Sequence, residues 1–132
     1  MTPRKILRHI FRFRGFAESF KLAINGIAYL FLYHRNMRII FTLGIFAFIL
    51  GLYFFKLSAI ELVALCITIT LVFVAEIFNT AIEMTMDMVK VKYHTLIKLV
   101  KDIAAAVVLL ASLNAVAIGY ILFIRKLFKW QN

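Results

Sequence analysis

AEIFNTAIEMTMDMVKVKYHTLIKLVKD, residues 75–102, holds four of the chain's six acidic residues against or inside strongly apolar sequence. On a helix turning about 100° per residue, Glu76, Asn79, Glu83 and Asp87, spaced three, four and four apart, fall on one stripe. Polar side chains gathered on one face of a membrane-type segment are costly, so the stripe is a functional candidate from the outset.

The composition explains why the segment is of membrane type. The 132 residues are 64% hydrophobic, and a mean hydropathy of +0.96 lies far outside the soluble range. The sequence therefore predicts an all-α integral membrane protein forming a single membrane domain, with room for about three crossings of about 20 apolar residues each. A formal charge of +10 could suggest nucleic acid. The charges flank apolar runs, however, so anionic lipid and membrane topology account for them and no nucleic-acid partner is expected. Cys66 is the one cysteine, has no disulfide partner within the chain, and reads as a small buried side chain.

Residues 1–38 read as a basic arm followed by an interfacial segment. Arg4, Lys5, Arg8, Arg12 and Arg14 alternate with Phe11 and Phe13, as suits a segment lying on anionic headgroups, and no cleavage pattern of a signal peptide follows. Over 16–33, Glu18, Lys21 and Asn25 make a narrow polar stripe on an apolar helix, which predicts an amphipathic surface helix. Gly26 argues against its being unbroken. The polar run 34–38 reads as a connection. Membrane helices are then expected at 39–55, 59–89 and 95–124, the last containing an uncharged run over 103–124. Of the 16 Lys and Arg, twelve fall on the side of the N-terminus and of the 90–94 connection. The positive-inside rule therefore makes that side cytoplasmic. The basic C-terminus, with Arg125, Lys126 and Lys129, is a local violation.

A short connection makes the second and third membrane helices an antiparallel hairpin. Counting equal steps from Lys92 and Tyr93 brings Asp87 level with Lys98 and Glu83 level with Asp102, with Lys101 nearby and Ala104, Ala105 and Ala106 letting the backbones approach. Carboxylates crowded at low dielectric need a proton or a cation between them. Magnesium suits a site with one or two carboxylates, because it takes its remaining ligands from water and phosphate. Carboxylates, a metal and lysine at a membrane surface suit phosphoryl transfer from a nucleotide. On chemistry alone, an ion or proton transporter suits the stripe equally well.

The pattern E-x-x-N-T-A-I-E-x-x-x-D, then Y-H and K-D with small residues, shifts that balance. Glu76, Asn79, Thr80, Ala81, Ile82, Glu83, Asp87, Tyr93, His94, Lys101, Asp102 and Ala104 to Ala106 closely resemble the prokaryotic diacylglycerol kinase family, which includes undecaprenol kinases. Ser19, Phe20, Lys21, Gly26, Arg35, Asn36, Met37 and Arg38 resemble its N-terminal pattern. The resemblance implies a homotrimer in a bacterial inner membrane, with active sites shared between subunits and with ATP and Mg2+ used to phosphorylate a lipid hydroxyl, of diacylglycerol or undecaprenol, at the cytoplasmic face. It also implies Glu76 as the catalytic base, Glu83 as a metal ligand, Asn79 positioning groups around the transferred phosphoryl, and Lys101 with Asp102 on the nucleotide phosphates. Asp87 and His94 are read as structural. His34 stands where the family usually has a glutamate expected to help bind the metal, and imidazole is a poorer magnesium ligand than carboxylate. The alternatives are an altered metal site, compensation by another acid such as Glu18, or an interfacial histidine with no ligand role. The rival to the enzyme reading is a non-catalytic helical membrane protein, either a degenerate kinase relative or an ion-conducting assembly.

Overall fold

The computed structural model describes residues 15–89 and 94–130, and all regular structure within them is helical. The basic arm, the connection at 90–93 and the side chains of His94, Lys129 and Trp130 lie outside the described residues. The chain divides at His34 into two compact units.

The first unit contains α1, Phe16–Tyr33, which runs unbroken through Gly26. Gly15 starts it, its carbonyl accepting from the N–H groups of Glu18 and Ser19 at 2.9 and 3.1 Å, and the acidic Glu18 complements the positive end of the helix. Phe16 and Phe20 stack at 6.4 Å, as an i, i+4 pair should. At the other end the His34 N–H donates to the Leu30 carbonyl at 2.9 Å, and the Tyr29 ring lies 4.7 Å from Tyr33 and 6.0 Å from His34.

In the second unit, α2 covers Arg35–Ile49 and continues through a π-helical turn, Leu50–Phe54. The helix begins at Arg35, so most of the polar run expected to be a connection is its first turn. Polar residues can supply a first turn because its N–H groups need no partner inside the helix. Then come α3, Ala59–Met88, and α4, His94–Gly119, which passes through a second π-helical turn, Tyr120–Ile124, into α5, Arg125–Trp130. Three helical spans, Arg35–Phe54, Ala59–Met88 and Thr95–Phe128, are long and apolar enough to cross a membrane.

The reversal between α2 and α3 is defined residue by residue. Lys56 adopts φ 47°, the left-handed region that costs a residue with a Cβ about 1–2 kcal/mol, and this turns the chain so that Leu57 is buried. Ser58 then caps α3. Its Oγ accepts from the Glu61 N–H at 3.4 Å, and Glu61 Oε2 accepts from the Ser58 N–H at 2.7 Å, a reciprocal capping box. The same Glu61 oxygen accepts from Lys126 Nζ at 2.7 Å. Lys126, which breaks the charge rule when counted along the chain, is therefore neutralised across the fold. Leu57, Leu65 and Leu122 form the core at this end, with Phe55 and Phe123 edge-to-face at 5.0 Å.

Helices α2 and α3 approach closely at two glycines. A Cβ on Gly44 would stand 2.9 Å from Ile69 Cγ2, and one on Gly51 2.8 Å from Leu57 Cδ1 and 3.2 Å from Leu65 Cδ2. On α4, Ala104 and Ala111 are buried, whereas Ala105 and Ala106 are exposed, so the alanine run contributes one contact and not three. Cys66 is exposed on α3, contrary to the buried reading, because it lies off the face shared by Leu65 and Thr68. In hydrocarbon a thiol facing lipid costs little.

Gly51→Val overpacks the Leu57 and Leu65 contact and should destabilise the protein by about 1–3 kcal/mol, whereas Gly26→Ala, in open space, should be neutral or stabilising by up to about 1 kcal/mol. Thermal unfolding followed by circular dichroism in detergent micelles checks both.

Candidate active site at the end of the α3–α4 hairpin

The second half of α3 grades from buried to exposed along the polar stripe. Glu76 is only 5% exposed and Thr80, one turn on, only 3%, whereas Glu83 and Asp87 are exposed. Glu76 has no hydrogen-bond partner among the described residues. A buried polar side chain without a partner among the described residues is costly to keep, so its retention points to a ligand.

Asn79 links the buried and exposed ends. Its Nδ2 donates to Glu83 Oε1 at 3.0 Å. A carboxylate oxygen only accepts, so this bond fixes the amide's orientation and directs Asn79 Oδ1 elsewhere. That oxygen is buried and has no hydrogen-bond partner among the described residues. An orphaned buried acceptor one turn from Glu76 and beside Glu83 is a set of hard oxygen donors, and this is the chemistry a magnesium ion selects. No cluster of three or more metal-ligating side chains occurs among the described residues, so such an ion would depend on phosphate and water for the rest of its shell.

The α4 side of the site differs from the counted register. Asp87 Oδ1 accepts from Lys101 Nζ at 2.5 Å, rather than lying level with Lys98. The Glu61–Lys126 and Asp87–Lys101 pairs are about 39 Å apart along α3 and about 38 Å apart along α4 and α5, so the helices run antiparallel without slip between their ends. The hairpin's centre is thus displaced toward α4 relative to Lys92 and Tyr93. Glu83 falls level with Ala105 rather than Asp102, next to Ala104, which is buried where the helices meet. Lys98 and Asp102 are exposed and have no hydrogen bond or ion pair among the described residues. His34 belongs to the first unit and is half-buried at the end of α1.

Two features of this end were not assigned a role from the sequence. Thr80 is buried beside Glu76, and its signal was available, since it occupies position i+4 from Glu76 on the same stripe. Met37, 1% exposed in the first turn of α2, is the most completely buried large side chain, and its position among Arg35, Asn36 and Arg38 gave no sign of this.

Comparison with known proteins bears directly on this constellation. The family model for prokaryotic diacylglycerol kinase matches residues 21–123, from within α1 to the second π-helical turn. The chain is 41% identical over 102 residues to a diacylglycerol kinase of Synechocystis sp., an alignment covering 76% of this chain and 58% of that protein. It is 34% identical over 112 residues to an undecaprenol kinase of Bacillus subtilis, covering 85% of this chain and 90% of the relative. The matched region contains Glu76, Asn79, Glu83, Lys101 and Asp102 together with α3 and α4, the two helices that hold them. This chain therefore belongs to the prokaryotic diacylglycerol kinase family.

Proposed function

We propose that this protein is a lipid kinase of a bacterial inner membrane, transferring the γ-phosphate of ATP to the hydroxyl of diacylglycerol or undecaprenol with magnesium as cofactor. The observation that carries the reading is the buried, unpartnered Glu76 beside the orphaned Asn79 Oδ1 and Glu83. Family membership and the names of the two relatives support the same reaction. The charge distribution favours a cytoplasmic N-terminus, which puts the connected end of the α3–α4 hairpin on the side where ATP is available. The family resemblance favours a homotrimer with shared sites.

The proposed chemistry follows the gradient of burial. Glu76 accepts the proton of the lipid hydroxyl as the oxygen attacks the γ-phosphorus and the bond to the β-phosphate oxygen breaks, leaving ADP. Its depth suits an acceptor arriving from the bilayer. Glu83 and Asn79 Oδ1 would hold magnesium, which when bound offsets the negative charge of the transferring phosphoryl. Lys101 directs its charge at the nucleotide phosphates, steadied by Asp87, and the exposed Asp102 orients the nucleotide. Metal binding is assigned to Glu83 and Asn79, with phosphate and water completing the shell, and no role is assigned to His34.

Transfer of labelled γ-phosphate to each lipid in mixed micelles, with and without magnesium, tests the reading. Magnesium-dependent product is expected with at least one lipid, and none with either would overturn it. Glu76→Gln should lower kcat by about 10²–10⁴-fold with nucleotide binding retained; undiminished turnover would remove Glu76 as the base. Glu83→Ala should raise the magnesium concentration needed for half-maximal rate, while His34→Ala leaves that titration unchanged. Asp87→Asn should raise KM for ATP less than Lys101→Ala does, because the first loosens the lysine and the second removes it.

A further inference from the structure

A threonine inside a helix can satisfy its hydroxyl on its own backbone, by donating to the carbonyl four residues earlier. Thr42, Thr68 and Thr85 do so, bonding the carbonyls of Arg38, Ala64 and Ala81 at 2.9, 2.8 and 2.7 Å. Thr80 does not. It is 3% exposed, yet its hydroxyl makes no hydrogen bond among the described residues. Thr68, nearly as buried on the same helix, shows that the local bond is open to a buried threonine of α3. A buried O–H without an acceptor costs stability. The unpaired hydroxyl therefore points to a partner that enters from outside the chain.

The position of Thr80 identifies that partner. It follows Glu76 by four residues and precedes Glu83 by three, about 6 Å and about 4.5 Å along the helix axis at 1.5 Å per residue. A group passing between a base at Glu76 and a cation at Glu83 and Asn79 crosses this level. The surroundings hold acceptors but lack a free donor. Asn79 has its Nδ2 engaged by Glu83 and its Oδ1 orphaned, and the stretch of α4 at this level, residues 105–111, contains only Ala, Val and Leu. On α3 between the two glutamates, Thr80 thus has the one side-chain donor not already engaged. A phosphoryl group, with three non-bridging oxygens, needs such donors. We propose that Thr80 is a further catalytic residue, its hydroxyl donating a hydrogen bond to a non-bridging oxygen of the γ-phosphoryl group during transfer. As the lipid oxygen bonds to phosphorus and the bond to the β-phosphate oxygen breaks, Glu76 takes the proton of the lipid hydroxyl, ADP leaves, and Thr80 keeps its own proton. A fixed donor in a water-poor site stabilises the charge spread over the phosphoryl oxygens. The proposal rests on the kinase reading.

Thr80→Val keeps the branched shape without the hydroxyl, and Thr80→Ser keeps the hydroxyl without the methyl. In mixed micelles with magnesium, ATP and each acceptor lipid, Thr80→Val should lower kcat by about 10²–10³-fold, the cost of removing one donor from a developing oxyanion, with KM for ATP and lipid little changed. Thr80→Ser should keep most of the wild-type kcat. Thermal unfolding followed by circular dichroism should rank them the other way. Thr80→Val should melt at or above wild type, because an unsatisfied buried donor is gone, and Thr80→Ser below it, because a cavity is left. A side chain that only packs would instead leave the Val variant more active than the Ser variant. Wild-type turnover by Thr80→Val, or Thr80→Ser as slow as Thr80→Val, would overturn the proposal while leaving the kinase reading standing. Absence of wild-type product with either lipid would overturn the kinase reading and the proposal with it.

Discussion

Helix α3 is tied at both ends by ion pairs, Asp87 with Lys101 of α4 at one and Glu61 with Lys126 of α5, the continuation of α4, at the other. Neither pair is deeply buried, and such pairs contribute little net stability. Their importance is geometric. Two long apolar helices packed in lipid can slide past one another at little cost, because aliphatic side chains interdigitate in several registers and no hydrophobic drive distinguishes them. A charge matched at each end selects one register, and that register sets which α4 residues face Glu76, Asn79 and Glu83.

At the Glu61 end the construction is tight. Glu61 both closes the capping box of α3 and holds Lys126, while Leu57, Leu65, Leu122, Phe55 and Phe123 fill the space beneath. At the Asp87 end it is open, with exposed charges and a buried carboxylate that has no partner among the described residues. Stability and chemistry are thus separated along the length of the helices. Both ends fix the register, and the Asp87 end also exposes polar groups to solvent.

The graded exposure of the stripe fits a reaction between one reactant from lipid and one from water. In the proposed reaction, the buried Glu76 would meet the lipid hydroxyl and the exposed Glu83 the hydrated phosphates. The Asn79 amide bridges the two environments. Its bond to Glu83 makes the orientation of the orphaned Oδ1 a consequence of the carboxylate's position. Loss of either side chain would therefore disturb both.

The sequence by itself determined the membrane class, the three membrane-capable helices and the stripe from Glu76 to Asp87, because hydropathy and a 3.6-residue period are local properties of the chain. It also carried the family resemblance, which the match over residues 21–123 bears out. The tertiary structure decided what depends on two segments at once. Lys101, rather than Lys98, meets Asp87, because the residue opposite depends on how many positions the turn consumes, and the spacing does not encode this. Lys126 is balanced by Glu61, far away in sequence, so a charge that looked misplaced when counted along the chain is paired once the helices fold together. Cys66 is exposed and Glu76 buried on the same apolar helix, since hydropathy marks a segment as membrane-spanning but only packing divides its surface between protein and lipid.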